Sequence, residues 1–261
     1  MSTTLKTVFL FLLFVNISFA QSITESIISP DRPGGTVGPA KLDKGVLNFE
    51  LGANFSSFND KDNNESNAQN YAGIFRYGLL DLCEVNIGLA YNRENGGELT
   101  GIGPVTLGVK LAVAEEKGWF PQVEFEGKLN LAKIGNEAFI PKDVEPLFNF
   151  NFANHISDKT ILNYHLGMFW ESAEEAAYYG LMLSQQLGQR FTGFIEHYGF
   201  VRGDFDGEAH LGIGMLYLVN NSLQFDLRMD YGADDEETTF FVEFGISAML
   251  AKGKSRISVL N

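Results

Sequence analysis

Much of this chain's ionisable chemistry stands at alternate positions. Glu124, Glu126 and Lys128 alternate with apolar or glycine residues in one segment, and Asp226 and Arg228 do so in another. Glu50, Arg76, Glu84, Lys110, His165, Glu196, His210 and Glu243 each occupy a polar position in a similar alternation. Both signs of charge on one face could pair and close a space, or coat a narrow water path. His155 and Ser157 are also two apart, which on a strand puts an imidazole and a hydroxyl on the same face, the start of a nucleophile and its base. They sit in Asn154-His155-Ile156-Ser157-Asp158, which reads as a turn. The histidines His155, His165, His197 and His210 suffice in number for zinc, but they fall in separate segments. The chain has no glycine-rich phosphate loop, no His-Glu-x-x-His and no Gly-x-Ser-x-Gly, so no cofactor is expected.

The elements that must position these residues are strands. In the last of them Phe240, Val242, Phe244, Ile246, Ala248 and Leu250 point one way, and Thr239, Phe241, Glu243, Gly245, Ser247 and Met249 the other. The same period of two predicts strands at about 45–57, 69–78, 82–92, 102–113, 120–132, 146–154, 160–170, 176–187, 191–201, 208–219, 222–231 and 238–250. An even count suits a closed, antiparallel, up-and-down transmembrane β-barrel. Residues 1–20 read as a signal peptide: Lys6, the short apolar run Val8 to Val15, then Ser18-Phe19-Ala20 before Gln21. The barrel is expected over 45–250 and a tail over 251–261.

Alternation alone does not say which face is wet. A barrel of about twelve strands is too wide for an apolar interior to fill. The polar face is rich in Gly, Asn, Gln and charge, which suits a lumen, so the apolar face is expected to meet outer-membrane lipid and lipopolysaccharide. Tyr71, Tyr77, Tyr91, Trp119, Trp170, Tyr178, Tyr179, Tyr217 and Tyr231 near strand ends could form interfacial girdles. The formal charge of −14 disfavours nucleic acid as a partner. Cys83, the single cysteine, lies on an apolar face with Val85, Ile87 and Leu89 and acts there as a small hydrophobe.

Residues 21–44 contain Pro30-Asp31-Arg32-Pro33-Gly34-Gly35, which can form neither helix nor central strand. They are expected to be a periplasmic leader, or a lid in the barrel mouth carrying Asp31 and Arg32. With the N-terminus in the periplasm, connections 58–68, 93–101, 133–145, 171–175, 202–207 and 232–237 face outside. These are mostly longer than the others and hold most of the negative charge. Their carboxylates could hold divalent cations, although no loop shows the ordered spacing of a calcium site.

Pro30-Asp31-Arg32-Pro33-Gly34-Gly35, Leu42-Asp43-Lys44-Gly45 and Phe49-Glu50-Leu51-Gly52 resemble the opening of the outer-membrane family described as "putative MetA-pathway of phenol degradation". Arg76-Tyr77-Gly78-Leu79 before Glu84, and Gly101-Ile102-Gly103-Pro104-Val105-Thr106-Leu107-Gly108-Val109-Lys110, resemble its next two hairpins. The resemblance covers about the first half of the mature chain. It implies an outer-membrane channel or transporter, with hydrophobic or aromatic solutes suggested by the family label, and it carries over no catalytic residue. Pro104 stands where the family has Asp, and the chain ends in Asn261, not in the terminal Phe usual for such barrels. The His155-x-Ser157 spacing is similar to that of outer-membrane phospholipase A, without its surrounding sequence. Three readings follow: a passive channel, a non-conducting barrel with a filled lumen that serves structure or surface binding, and an outer-membrane lipid hydrolase.

Overall fold

The structure is a computed structural model that describes residues 31–62, 64–171, 174–203, 207–234 and 236–251. Residues 1–20, expected to be a signal peptide, the first part of the expected leader (21–30) and residues 252–261 of the expected tail lie outside the described residues. The strands are β1 (Leu47–Asp60), β2 (Glu65–Leu80), β3 (Cys83–Glu94), β4 (Leu99–Ile102), β5 (Thr106–Ala114), β6 (Gln122–Asn130) and β7 (Glu145–Ser157). They continue as β8 (Thr160–Glu171), β9 (Glu174–Gln186), β10 (Phe191–Val201), β11 (Gly207–Asn220), β12 (Leu223–Ala233) and β13 (Glu237–Ala251).

All neighbours are antiparallel, and β1 pairs with both β2 and β13, from Leu47↔Ala251 to Asp60↔Glu237, so the sheet closes on itself. β4 and β5 both pair with β3 and form one course of the wall. The barrel therefore has twelve courses built from thirteen strands. The expected fourth strand, 102–113, is thus broken at Gly103-Pro104-Val105. Pro104 has no N–H to give the ladder. The flanking amides keep the course together, with Gly103 N–H donating to Ala90 O at 2.8 Å and Leu131 N–H to Val105 O at 2.9 Å.

Several strands overrun the expected ends. β1 and β2 continue through Phe58–Asp60 and Glu65–Ala68, leaving only 61–64 as their connection. The outer connections are therefore shorter than the sequence suggests, and 131–144 alone remains long. The cause is physical: polar, alternating segments can pair beyond the apolar band, where water meets both faces. The other ends carry 81–82, 115–121, 158–159, 187–190 and 221–222. This short-turn end, where β1 begins, is the periplasmic one in barrels of this kind.

One face of every course is apolar and open. Phe75, Phe150, Phe244, Leu166, Leu211 and Ile213 are all exposed, and Phe49 lies stacked on Phe75 with ring centroids 4.4 Å apart. The other face is polar and buried: Glu50, Arg76, Glu84, Lys110, Glu124, Glu126, Asn149, Asn151 and Glu196 are each at most 1% exposed. This is the inverse of a water-soluble protein. Only lipid can cover so continuous an apolar band, and closure leaves no unpaired edge in it. The chain belongs in the bacterial outer membrane. Ile213→Arg, near the middle of β11 on the lipid face, is expected to cost about 2–4 kcal/mol, whereas a polar substitution on the inward face away from the ion pairs costs far less. Denaturant unfolding from lipid vesicles measures both.

Candidate functional site

The lumen is occupied by the chain's own leader. Asp31 to Val46 enters the half of the barrel nearer the short turns and touches strands around the ring. Thr36, Leu42 and Val46 are buried there. Asp31 meets Lys110 Nζ at 2.5 Å and Arg76 Nη2 at 3.4 Å. Arg32 reaches the other side, with Nη1 2.8 Å from Glu243 and Nη2 3.3 Å from Asp226 and 3.2 Å from Phe244 O. Gly35 and Thr36 donate their amides to the Glu196 carboxylate at 3.2 and 2.9 Å. Val37 N–H donates to His165 Nδ1 at 3.2 Å. The chain then turns back: Gln122 Nε2 donates to Pro39 O, Arg76 and Lys110 donate to Ala40 O, and Leu42 N–H donates to Glu84 at 2.8 Å. Gly45 and Gly78 join it to the base of β2.

Period-two spacing is what aims the wall at the leader. The structure brings Glu50, Arg76, Glu84, Lys110, Glu124, Glu126 and Lys128 together along β1, β2, β3, β5 and β6. Arg76 binds Glu50 at 2.8 Å and Glu84 at 2.7 Å, Lys110 lies 3.5 Å from Glu124, and Lys128 is 2.9 Å from Glu126. A second group forms on β10 to β13: Arg228 binds Glu196 at 2.8 Å, Asp230 at 3.1 Å and Glu243 at 3.4 Å, and Asp226 lies at Arg32. His210 joins this group by bonding Asp230 at 2.6 Å and Glu208 at 2.7 Å while stacking on Tyr198. His165 stands between the two groups. Burial works against an ionised Asp31, but Arg76, Lys110 and Lys128 outweigh it and hold its carboxyl at about 2.

A profile of the family described as "Putative MetA-pathway of phenol degradation" matches residues 30–250. The chain belongs to this family. No curated protein matches the sequence. Among solved structures, the COG4313 outer membrane channel from Pseudomonas putida F1 aligns with TM-score 0.65 and 13% identity, over 84% of this chain and 99% of that one. The translocator domain of autotransporter NalP from Neisseria meningitidis aligns at 0.58 with 10% identity, over 79% of this chain and 90% of that one. The NanC porin aligns at 0.57 with 9% identity, over 77% of this chain and 100% of that one. These likenesses are of fold.

In this family member one pocket borders the leader and another lies farther along the wall. One, of about 280 Å³, lies toward the short turns and is lined by Thr36, Asn163, Met182, Phe194, Leu216 and Arg190 among others. The other, of about 220 Å³, lies toward the outer end between β6, β7 and β8, at Lys128, Glu145, Leu147, Phe169 and Glu171. Inward aromatic rings continue along the wall, with Phe169 6.0 Å from Tyr178 and 6.1 Å from Phe200.

The His-x-Ser pair resolves differently from the sequence expectation. β7 runs on to Ser157, so the pair ends a strand and does not sit within a turn; only 158–159 turns. The register slips between His155 and Ser157, and the two side chains find separate partners. His155 Nδ1 meets Glu116 Oε2 at 2.5 Å, and the Ser157 hydroxyl donates to Thr160 Oγ1 at 2.9 Å. His197 lies on the outer face beside Tyr179. At the outer rim Lys61 pairs with Glu236, and Asp234 accepts the amides of Glu236 and Glu237. Among the described residues no three ligating side chains are grouped to hold a metal.

Glu116 also accepts the His155 amide at 2.8 Å and so ties turn 115–121 to the end of β7. Burial raises its carboxyl slightly, but the two bonds from His155 outweigh that and hold it below the usual carboxylate value of 4.5. A lowered folded value stabilises above the unfolded one and is lost as pH falls through the folded one. Protection of the 115–121 amides, exchange measured against the intrinsic rate at each pH, is therefore expected to fall only below pH 4.5 in the wild type, and to be low at every pH in Glu116→Gln.

Sequence reasoning missed several members of the site. Asp230 and Glu208 extend the period-two pattern of Asp226, Arg228 and His210, so the signal was there. Tyr198, Phe241 and Tyr178 share the inward parity, but Tyr178 reads as girdle, and nothing in the sequence gives Tyr198 or Phe241 a role. Nothing local marks Thr36, whose partners lie on distant strands.

Proposed function

We propose that this chain is an outer-membrane channel that passes small molecules passively, with the Asp31–Val46 leader as its lid. The observation that carries the reading is the pocket left between the wall and a leader held to it by ion pairs, with a second pocket on the wall toward the outer end. A solid structural plug has no need of such cavities. The inward Leu147, Phe169, Tyr178, Phe194 and Met182 give part of the route an apolar lining, which fits hydrophobic or aromatic solutes, in keeping with the family description. The test is flux across vesicles with a lipopolysaccharide outer leaflet, which slows apolar solutes on its own. Faster entry of a radiolabelled single-ring aromatic through the inserted protein supports the channel; entry no faster than through empty vesicles contradicts it.

A second reading has one observation behind it: the buried ion pairs around Arg76 and Lys110 fill much of one side of the lumen. A non-conducting barrel would give no flux of any solute, including ions. The hydrolase reading requires that purified protein cleave a chromogenic acyl ester and that Ser157→Ala abolish it; the separate partners of His155 and Ser157 argue against that outcome.

A further inference from the structure

We infer that solute passes the leader along one wall only, the inner face of β8 to β10, through a constriction formed by Thr36, His165 and Gly180. This rests on the channel reading and gives it a route. The two pockets meet on β8, the inner one at Ile161 and Asn163 and the outer one at Phe169 and Glu171, and a run of side chains joins them. Phe169 of the outer pocket stands 6.0 Å from Tyr178, and Tyr178 stands 5.0 Å from His165. His165 and Thr36 both press on Gly180: a Cβ there would lie 2.5 Å from His165 Cε1 and 2.6 Å from Thr36 Oγ1. Thr36 in turn lines the inner pocket with Asn163, Met182 and Phe194.

The leader is held differently around the ring. Toward β2, β5, β12 and β13 it is fixed by ion pairs from Asp31 and Arg32. Toward β8 the hold is a single neutral bond, from Val37 N–H to His165 Nδ1. On β10 it is two amide bonds to Glu196. Gly34, Gly35 and Gly38 bracket this stretch, and Gly34 has a φ of +139°, which side-chain-bearing residues rarely adopt. A short bend can therefore move while the two ion-paired anchors stay.

The constriction also holds two polar groups without partners. Thr36 Oγ1 and His165 Nε2 are buried and make no hydrogen bond. Because Nδ1 accepts from Val37, the ring proton resides on Nε2, which is then an unused donor. A passing solute with a hydroxyl or carbonyl can satisfy both, so the route suits a small neutral molecule carrying such a group.

Three variants of the full chain test this, read by arabinose flux into vesicles and by potassium conductance. Gly180→Val fills the constriction and is expected to cut both by at least about fivefold. Thr36→Ala, which alters only the leader, is expected to raise both by about twofold. Ser247→Val, on the inward face of β13 across the ring, is expected to leave both unchanged. Heat-modifiable migration checks folding, and if Gly180→Val fails to fold, Thr36→Ala decides. Wild-type flux in Thr36→Ala and Gly180→Val, or an equal loss in Ser247→Val, overturns the route and leaves the channel standing. A wild type no leakier than empty vesicles removes the channel, and the route with it.

Discussion

Arg76→Ala is expected to destabilise the barrel by about 3–5 kcal/mol, the usual cost of breaking a buried ion pair by removing one partner. Arg76 is fully buried and binds Glu50 through Nη1, Glu84 through Nε and Nη2, and Asp31 through Nη2. Deleting it leaves three carboxylates facing one another in a space with little water. Arg76→Lys recovers only part of the loss, because one ammonium cannot reproduce the two-pronged grip on Glu84. Adding Glu50→Gln and Glu84→Gln to Arg76→Leu is expected to restore most of the stability, since the penalty comes from stranded charge. Urea unfolding in vesicles measures each. The pH dependence follows from the lowered value of Asp31: its contribution is complete above its ordinary 3.8 and is lost only as pH falls through about 2. Acidification from pH 7 to 5 should therefore leave the Asp31 contribution intact.

Gly52→Val is expected to release the leader as effectively as Arg32→Ala. The Arg32 guanidinium lies directly over Gly52 and Gly245, in the space a side chain at either position would occupy. Both glycines are in regular strands, on β1 and β13, and pair with each other. The β-branched valine suits a strand, so the wall survives while the seat is lost. Arg32 then forfeits Glu243 and Asp226, and residues 31–37 lose one of their two anchors. The expected result is a severalfold larger potassium conductance and faster proteolysis within 31–44, in both variants. Conductance raised by Arg32→Ala but not by Gly52→Val would show that charge, and not the seat, holds the leader.

The barrel was legible because a lumen and a bilayer impose opposite demands on alternate residues. Phe240 to Leu250 states both demands in one strand, and the inward parity of Glu124, Glu126 and Lys128 follows from it. Strand ends were less legible, since Asn59-Asp60 and Glu65-Ser66-Asn67 carry no apolar residue yet still pair. Pro104 broke a course that its hydrophobic pattern carried across. The path of the leader could not be read at all. Arg32 meets residues 226, 243 and 244, and Thr36 meets Glu196; such contacts exist only once the ring has closed. The glycines at 52, 180 and 245 gave no warning either, because the space they leave is used by a distant segment.

Single-channel recording in planar bilayers, comparing the full chain with one lacking residues 21–44, bears most directly on a channel governed by its leader. Small resolved steps from the full chain, and steps severalfold larger from the shortened one, are the expected outcome. No steps from either, or equal steps from both, would contradict it.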